Sequence, residues 1–139
     1  MNQPQTIAVG FDGSPDAERA VRWAFDLASH LDADVIVVHA VGLLEHAKRQ
    51  NVADRLEDLV QALAIDCKLD SAHVRWCLDD GDACSVLLRA ADAPISADLL
   101  VVGSRGQGVH AGLLLGSVSL ELAQHATIPL VIVPTQRSD

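Results

Sequence analysis

The stretch Thr6-Ile-Ala-Val-Gly-Phe-Asp-Gly-Ser-Pro15 decides the fold of this chain. Residues 6–11 form a short, nearly continuous apolar run, which predicts a buried strand. Residues 12–14 are typical of a turn, and Ser14 followed by Pro15 predicts the cap and the first residue of a helix. A buried strand that turns at once into a helix indicates an α/β fold.

The helix expected after Pro15 is amphipathic. Apolar residues recur at three- and four-residue spacing from Ala17 to Leu31. Charged residues, among them Asp16 and Arg22, are expected on the opposite, outward face.

The same alternation of strand and helix continues along the chain. Strands are predicted at residues 6–11, 35–38, 74–78, 99–102 and 130–133. Helices are predicted from residue 15 to 31, from a start within 43–51 to about 63, over 83–91 and over 117–125. Short connections between such elements require right-handed parallel crossovers. We therefore expect an α/β three-layer sandwich with a five-stranded parallel sheet in the order 3-2-1-4-5.

Composition limits the class of protein. The length of 139 residues fits one domain over residues 1–139, and a core poor in aromatic residues must be built from Val, Leu, Ile and Ala. The formal net charge is −9, and the basic residues form no stripe, so a nucleic-acid partner is not expected.

The cellular location follows from cysteines and apolar runs. Three cysteines without metal-ligand spacing are typical of reduced thiols in a cytosolic protein. The longest apolar runs are far shorter than the roughly 20 residues that cross a bilayer, and residues 1–13 do not resemble a signal peptide. We expect a cytoplasmic protein without a membrane partner.

The predicted strand order places a ligand crevice. The direction of winding reverses between strands 1 and 4, and the loops that leave their carboxyl ends diverge there. Those two loops contain Asp12 and Gly103.

The loop after strand 4 is rich in glycine. It contains Gly103, Gly106, Gly108, Gly112 and Gly116, which are five of the nine glycines of the chain. Glycines between a buried strand and a helix allow backbone amides to approach an anion, and phosphate is the natural candidate. The alternative is a flexible crossover loop without a ligand.

The glycine spacing resembles a known motif. Gly103 to Gly106, followed after nine residues by Gly116-Ser117, matches G-x2-G-x9-G-S, the nucleotide motif of the universal stress protein family. The opening from Ile7 to Ser14 and the pair Gly81-Asp82 are further likenesses. The resemblance implies a Rossmann-like fold, ATP binding, a regulatory or stress-response role with an unknown protein partner, and often a homodimer through the final strands.

The resemblance also implies a set of site residues. Asp12 sits where the family places its nucleotide-binding aspartate, with Gly13 and Ser14 in the same loop, and Ala40 sits where backbone groups meet adenine. The positions around ribose and phosphates are Gly103, Arg105, Gly106, Gly116, Ser117, Val118 and Ser119.

Charge balance raises the question of a metal. Arg105 is the one permanently charged cation of the loop, and a Walker lysine is missing. Mg²⁺ or Mn²⁺ could therefore accompany the nucleotide, with Asp12 as a ligand. The alternatives are a turn aspartate at Asp12 and a solvated side chain at Arg105. Ser117 could donate to phosphate and also cap the last helix, since the two roles are compatible.

The sequence is compatible with three functions. The sequence offers no general base or second carboxylate near the expected γ-phosphate, so ATP binding with at most slow hydrolysis is favoured over catalysis. An adenylylating or ATP-pyrophosphatase enzyme and a nucleotide-free interaction module are the alternatives.

The apolar edge strand at residues 128–133 predicts a homodimer, whereas Pro129 and Pro134 could instead blunt that edge in a monomer.

Overall fold

A computed structural model describes residues 4–42, 49–105 and 115–135 of the chain. The predictions made for the middle of the glycine loop, including the one for Gly106, lie outside the described residues.

The described elements follow the predicted order. The strands are β1 (Thr6–Gly10), β2 (Asp34–Val41), β3 (Val74–Asp80), β4 (Leu99–Gly103) and β5 (Leu130–Val133). The helices are α1 (Pro15–Leu31), α2 (Arg49–Asp66), α3 (Ala83–Arg89) and α4 (Ser117–His125), and a 3₁₀ turn at Ser71–His73 precedes β3. None of the helices in these ranges is both long enough and apolar enough to cross a bilayer.

The five strands form one parallel sheet in the order β3-β2-β1-β4-β5. The predicted fold class and strand order are therefore confirmed. Because β1 and β4 are neighbours at the centre, the chain reverses its winding between them. The strands β3 and β5 form the two edges.

Each face of the sheet carries its own hydrophobic core. Ile7 and Val9 of β1 pack with Phe25 of α1 and with buried residues of α2 on one face. Ala8, between them in sequence, packs on the other face with Leu87 of α3 and with α4. Successive residues of a strand point to opposite faces, so a continuous apolar run serves both cores.

The start of α1 is fixed by its sequence, with one difference from expectation. Ser14 caps the helix, since its side chain accepts the N–H of Ala17 at 3.2 Å, and Pro15 is the first helical residue. Asp16, however, is 9% exposed and not on the outward face. The prediction for Asp16 was wrong because the first turn of α1 packs against the ends of β4 and β5, so helical periodicity does not decide exposure there.

A cluster of acidic groups surrounds His73 at the amino ends of β2 and β3. The Nδ1 atom of His73 lies 2.9 Å from Asp34 Oδ1, and its Nε2 atom lies 3.5 Å from Asp32 Oδ1. The hydrogen bond to Asp34 raises the pKa of His73 above 6.5, and the charges of Asp32 and Asp70 add to that effect.

We expect this cluster to make stability depend on pH. A folded-state pKa above the unfolded value of 6.5 stabilises the protein fully below pH 6.5, and the gain is lost as the pH rises through the folded pKa. Urea unfolding at pH 5.5 and pH 8.5 should show a loss at the higher pH that is smaller in His73→Asn. An equal loss in both proteins would contradict the assignment to His73.

Candidate functional site

A cleft opens at the carboxyl ends of the strands, where β1 and β4 lie side by side. Its volume is about 800 Å³, within the range of pockets that enclose a small ligand. The walls come from the ends of β1, β2 and β4, the starts of α3 and α4, and one side of α2. We call it the C-terminal cleft, and it lies at the position expected from the reversal of winding.

Most of the predicted site residues come together around this cleft. The lining includes Asp12, Ala40, Gly103, Arg105, Gly116, Ser117, Val118 and Ser119. Gly13 and Ser14 belong to the same turn as Asp12 but do not line the cleft, and Gly106 is outside the described residues.

The loop after β1 is a hydrogen-bonded turn. The carboxylate Oδ1 of Asp12 accepts the N–H of Ser14 at 2.9 Å, and Gly13 between them has a φ of +84°, which a side chain would disfavour. This is the turn geometry weighed as an alternative role for Asp12. It holds the carboxylate at the edge of the cleft.

The end of β2 is tied to the end of β1. The side chain of His39 is buried, and its Nδ1 atom donates to the carbonyl oxygen of Phe11 at 2.9 Å. His39 therefore has a structural, hydrogen-bonding role. Because the bond fixes His39, the backbone of the next residue, Ala40, is held in the wall of the cleft.

The end of β4 is packed too closely for any side chain at Gly103. A Cβ atom there would stand 2.7 Å from the backbone oxygen of Asp16 in α1. The absent side chain therefore lets β4 and the first turn of α1 meet.

The start of α4 is fastened to the same region. The backbone oxygen of Ser104 accepts the N–H of Gly116 at 2.6 Å and the hydroxyl of Ser119 at 2.8 Å. Ser119 is buried, and its hydroxyl also lies within hydrogen-bond distance of the Gly116 carbonyl oxygen, at 3.1 Å. Ser117 is exposed. The residue that caps α4 is Gly116, without a side-chain bond, so the cap expected at Ser117 was misplaced by one residue.

The first turn of α4 borders the cleft with residues 116–119. Amide groups in the first turn of a helix have no acceptor inside the helix, and the helix dipole is positive there. This end of the cleft is therefore suited to an anion.

Four side chains meet where the ends of β4 and β5 approach the start of α1. We call them the Asp16 cluster: Asp16, Ser104, Arg105 and Thr135. Asp16 Oδ2 accepts the hydroxyl of Thr135 at 2.6 Å and that of Ser104 at 3.3 Å. Arg105 donates its Nε–H to Thr135 Oγ1 at 3.0 Å. The guanidinium of Arg105 is thus anchored and not simply solvated.

Two further charged residues line the cleft that sequence reasoning did not place in the site. Arg55 reaches it from α2, and Asp82 reaches it from the start of α3. Asp82 caps α3 by accepting the N–H of Ser85 at 3.0 Å, and that bond lowers the pKa of its carboxyl. The pair Gly81-Asp82 had a sequence signal, while Arg55 had none.

A metal site is not preformed in the described part of the chain. No group of three or more His, Cys, Asp or Glu side chains gathers there in a ligating arrangement. A cation at this cleft would depend on ligand atoms from a bound molecule, as Mg²⁺ commonly does.

A comparison with models of protein families identifies the family of the chain. The model of the universal stress protein family matches residues 4–134. The chain belongs to this family. The family assignment expected from the glycine spacing is confirmed.

Curated universal stress proteins from mycobacteria are similar in sequence. A universal stress protein of Mycolicibacterium smegmatis is 33% identical over 144 residues, which cover 91% of this chain and 45% of the relative. Universal stress protein Rv2623 of Mycobacterium tuberculosis is also 33% identical, over 95% of this chain and 46% of the relative. The chain thus spans about half the length of these relatives.

Solved structures share the fold. A universal stress protein crystallised in complex with cAMP is 30% identical, with a TM-score of 0.73 over 97% of this chain and all of the other. Universal stress protein UspA from Lactobacillus plantarum has a TM-score of 0.79 at 17% identity, over 95% of this chain and 99% of the other. The second likeness concerns the fold alone.

Proposed function

We propose that this universal stress protein binds an adenine nucleotide, ATP, in the C-terminal cleft and acts as a regulatory protein of the stress response. The observation that carries the proposal is the lining of the cleft. One space of about 800 Å³ is lined by the turn at Asp12, the backbone of Ala40, the end of β4 at Gly103 and the start of α4. The neighbour crystallised with cAMP supports an adenine nucleotide as the class of ligand.

ATP binding is favoured over ATP hydrolysis because the acidic side chains of the cleft already accept backbone hydrogen bonds. Asp12 accepts a backbone N–H within its turn, and Asp82 accepts one at the start of α3. A general base in ATP hydrolysis must be placed against the attacking water. Asp12 and Asp82 are the only carboxylates among the described lining residues, and each already serves a turn or a helix cap, so we expect at most slow hydrolysis.

The charges around the cleft support a divalent cation as companion of the triphosphate. The described lining residues include two arginines, Arg55 and Arg105, and two aspartates, Asp12 and Asp82, so their side-chain charges cancel. ATP carries several negative charges, and Mg²⁺ or Mn²⁺ would offset part of them. One carboxylate with phosphate oxygens is a sufficient ligand set for Mg²⁺, and Asp12 fits that role.

Replacing Asp12 by alanine should weaken ATP binding more with Mg²⁺ present than with a chelator, because the carboxylate assists the metal-bound form. Isothermal titration calorimetry should give about a tenfold loss with Mg²⁺ and a smaller one in EDTA. Asp58→Ala, which removes the same charge from an exposed position on α2, is the control. Equal losses in the two buffers would contradict the metal role, and a wild-type protein that binds no ATP would overturn the proposed function.

The assembly and location remain proposals that rest on separate features. We propose a homodimer joined along β5, since this edge strand is apolar and three of its four residues are only partly buried. A chain that stays monomeric at high micromolar concentration by light scattering would exclude the dimer.

The free thiols of Cys67, Cys77 and Cys84 agree with a cytoplasmic location.

A further inference from the structure

The Asp16 cluster connects Arg105, a residue of the cleft lining, to side chains outside the lining. Arg105 lines the C-terminal cleft, whereas Asp16 and Thr135 do not. We propose that Thr135 and Asp16 are positioning residues that fix the Arg105 guanidinium for a nucleotide phosphate. The inference rests on the proposed function, because it concerns how the same cleft takes its ligand.

Thr135 makes the link between the two charges. Arg105 Nε and Asp16 Oδ2 are 3.7 Å apart, too far for a direct hydrogen bond. The Thr135 hydroxyl stands between them, accepting from Arg105 at 3.0 Å and donating to Asp16 at 2.6 Å. A hydroxyl can donate and accept at once, so it suits this bridge.

The anchor points of the bridge are themselves fixed. Asp16 is buried in the first turn of α1, which the Ser14 cap holds in place. Thr135 follows β5, and the Ser104 N–H donates to the Val133 carbonyl at 2.9 Å, which joins the ends of β4 and β5. Both Asp16 and Thr135 therefore lie next to hydrogen-bonded ends of helices and strands.

The hydrogen bond to Thr135 occupies only one of the N–H groups of Arg105. A guanidinium is planar and has five N–H donors, of which the Nε–H is used here. Fixing Nε restricts the plane that carries the remaining four. A side chain ordered before the ligand arrives loses less entropy on binding, so the affinity is higher.

Thr135→Val is the most direct test, because it removes the hydroxyl and leaves every charge in place. Isothermal titration calorimetry with Mg²⁺·ATP should show about a tenfold loss of affinity for Arg105→Ala and about fivefold for Thr135→Val. Thr135→Ser keeps the hydroxyl and should bind nearly as the wild type does. Thr127→Val, the same replacement at an exposed position before β5, should leave the affinity unchanged.

The double variant separates positioning from a general loosening of the fold. If Thr135 acts through Arg105, adding Thr135→Val to Arg105→Ala should cause no further loss. A further fivefold loss in the double variant, or wild-type affinity of Thr135→Val, would overturn the inference. A wild-type protein that does not bind Mg²⁺·ATP would overturn the proposed function instead.

A second measurement needs no nucleotide and keeps the test valid if Thr135→Val is less stable. In ¹⁵N NMR spectra of the wild-type protein, the Arg105 Nε–H should exchange slowly with water. The signal should persist in Thr135→Ser and be lost in Thr135→Val. Exchange in the wild type as fast as that of a solvated arginine would show that the bridge does not form, and would overturn the inference.

Discussion

Gly103→Ala is expected to lower the free energy of unfolding by about 2–3 kcal/mol, because overpacking a rigid contact costs that much. The added Cβ would lie 2.7 Å from the backbone oxygen and 2.8 Å from the carbonyl carbon of Asp16. Backbone atoms cannot rotate away as the end of a side chain can. The strand β4 or the helix α1 must therefore shift, and the core between them would open.

Urea unfolding followed by circular dichroism measures this loss. Gly42→Ala is the matched control, since a Cβ at Gly42 meets nothing within 4 Å. We expect its unfolding free energy to stay within about 0.5 kcal/mol of the wild-type value. A Gly103→Ala protein as stable as this control would show that the close approach of β4 to α1 relaxes at little cost.

Arg55→Glu is expected to weaken Mg²⁺·ATP binding by about tenfold, roughly 1.4 kcal/mol. Arg55 is exposed on α2 and lines the C-terminal cleft, so the reversal changes the charge of the cleft wall without disturbing the core. The effect should shrink as salt is added, since exposed charges are screened.

Arg75→Glu is the control for this reversal. Arg75 is exposed on β3 and is not part of the cleft lining, yet its reversal changes the net charge by the same amount. Calorimetry at low and high salt should separate the two variants. Similar losses in both would assign the effect to the overall charge of the protein and would leave Arg55 without a role in the cleft.

The fold could be predicted from sequence because its signals are local. The run of β-branched residues at 35–38 gave the centre of β2, and Ser14-Pro15 gave the start of α1. The ends of strands were less well predicted, since β2 extends to Val41. Parallel pairing with β3 continues to that residue, and such pairing depends on a partner distant in the chain.

The candidate site was predicted in its loops and at the start of α4, but the contributions of α1 and α2 were missed. Gly103 and Gly116 follow from a spacing that can be read along the chain, and Asp12 follows from its place directly after the first strand. Asp16 was assigned to solvent because helical periodicity does not reveal that the first turn meets the end of β5. Arg55 was missed because only the packing of α2 over the sheet determines which of its exposed side chains reaches the cleft.

The two edges of the sheet differ in chemistry, and the difference limits how copies of this chain can assemble. The β5 edge is apolar. The β3 edge carries Arg75, Asp79 and Asp80, and Arg89 donates to the Asp79 carboxylate at 3.1 Å and to the Asp80 carbonyl at 3.2 Å. Charged edges resist the addition of strands. In the proposed dimer, joining at β5 would therefore leave a protected strand at both outer ends, so the assembly would close at two chains and would not grow into a filament.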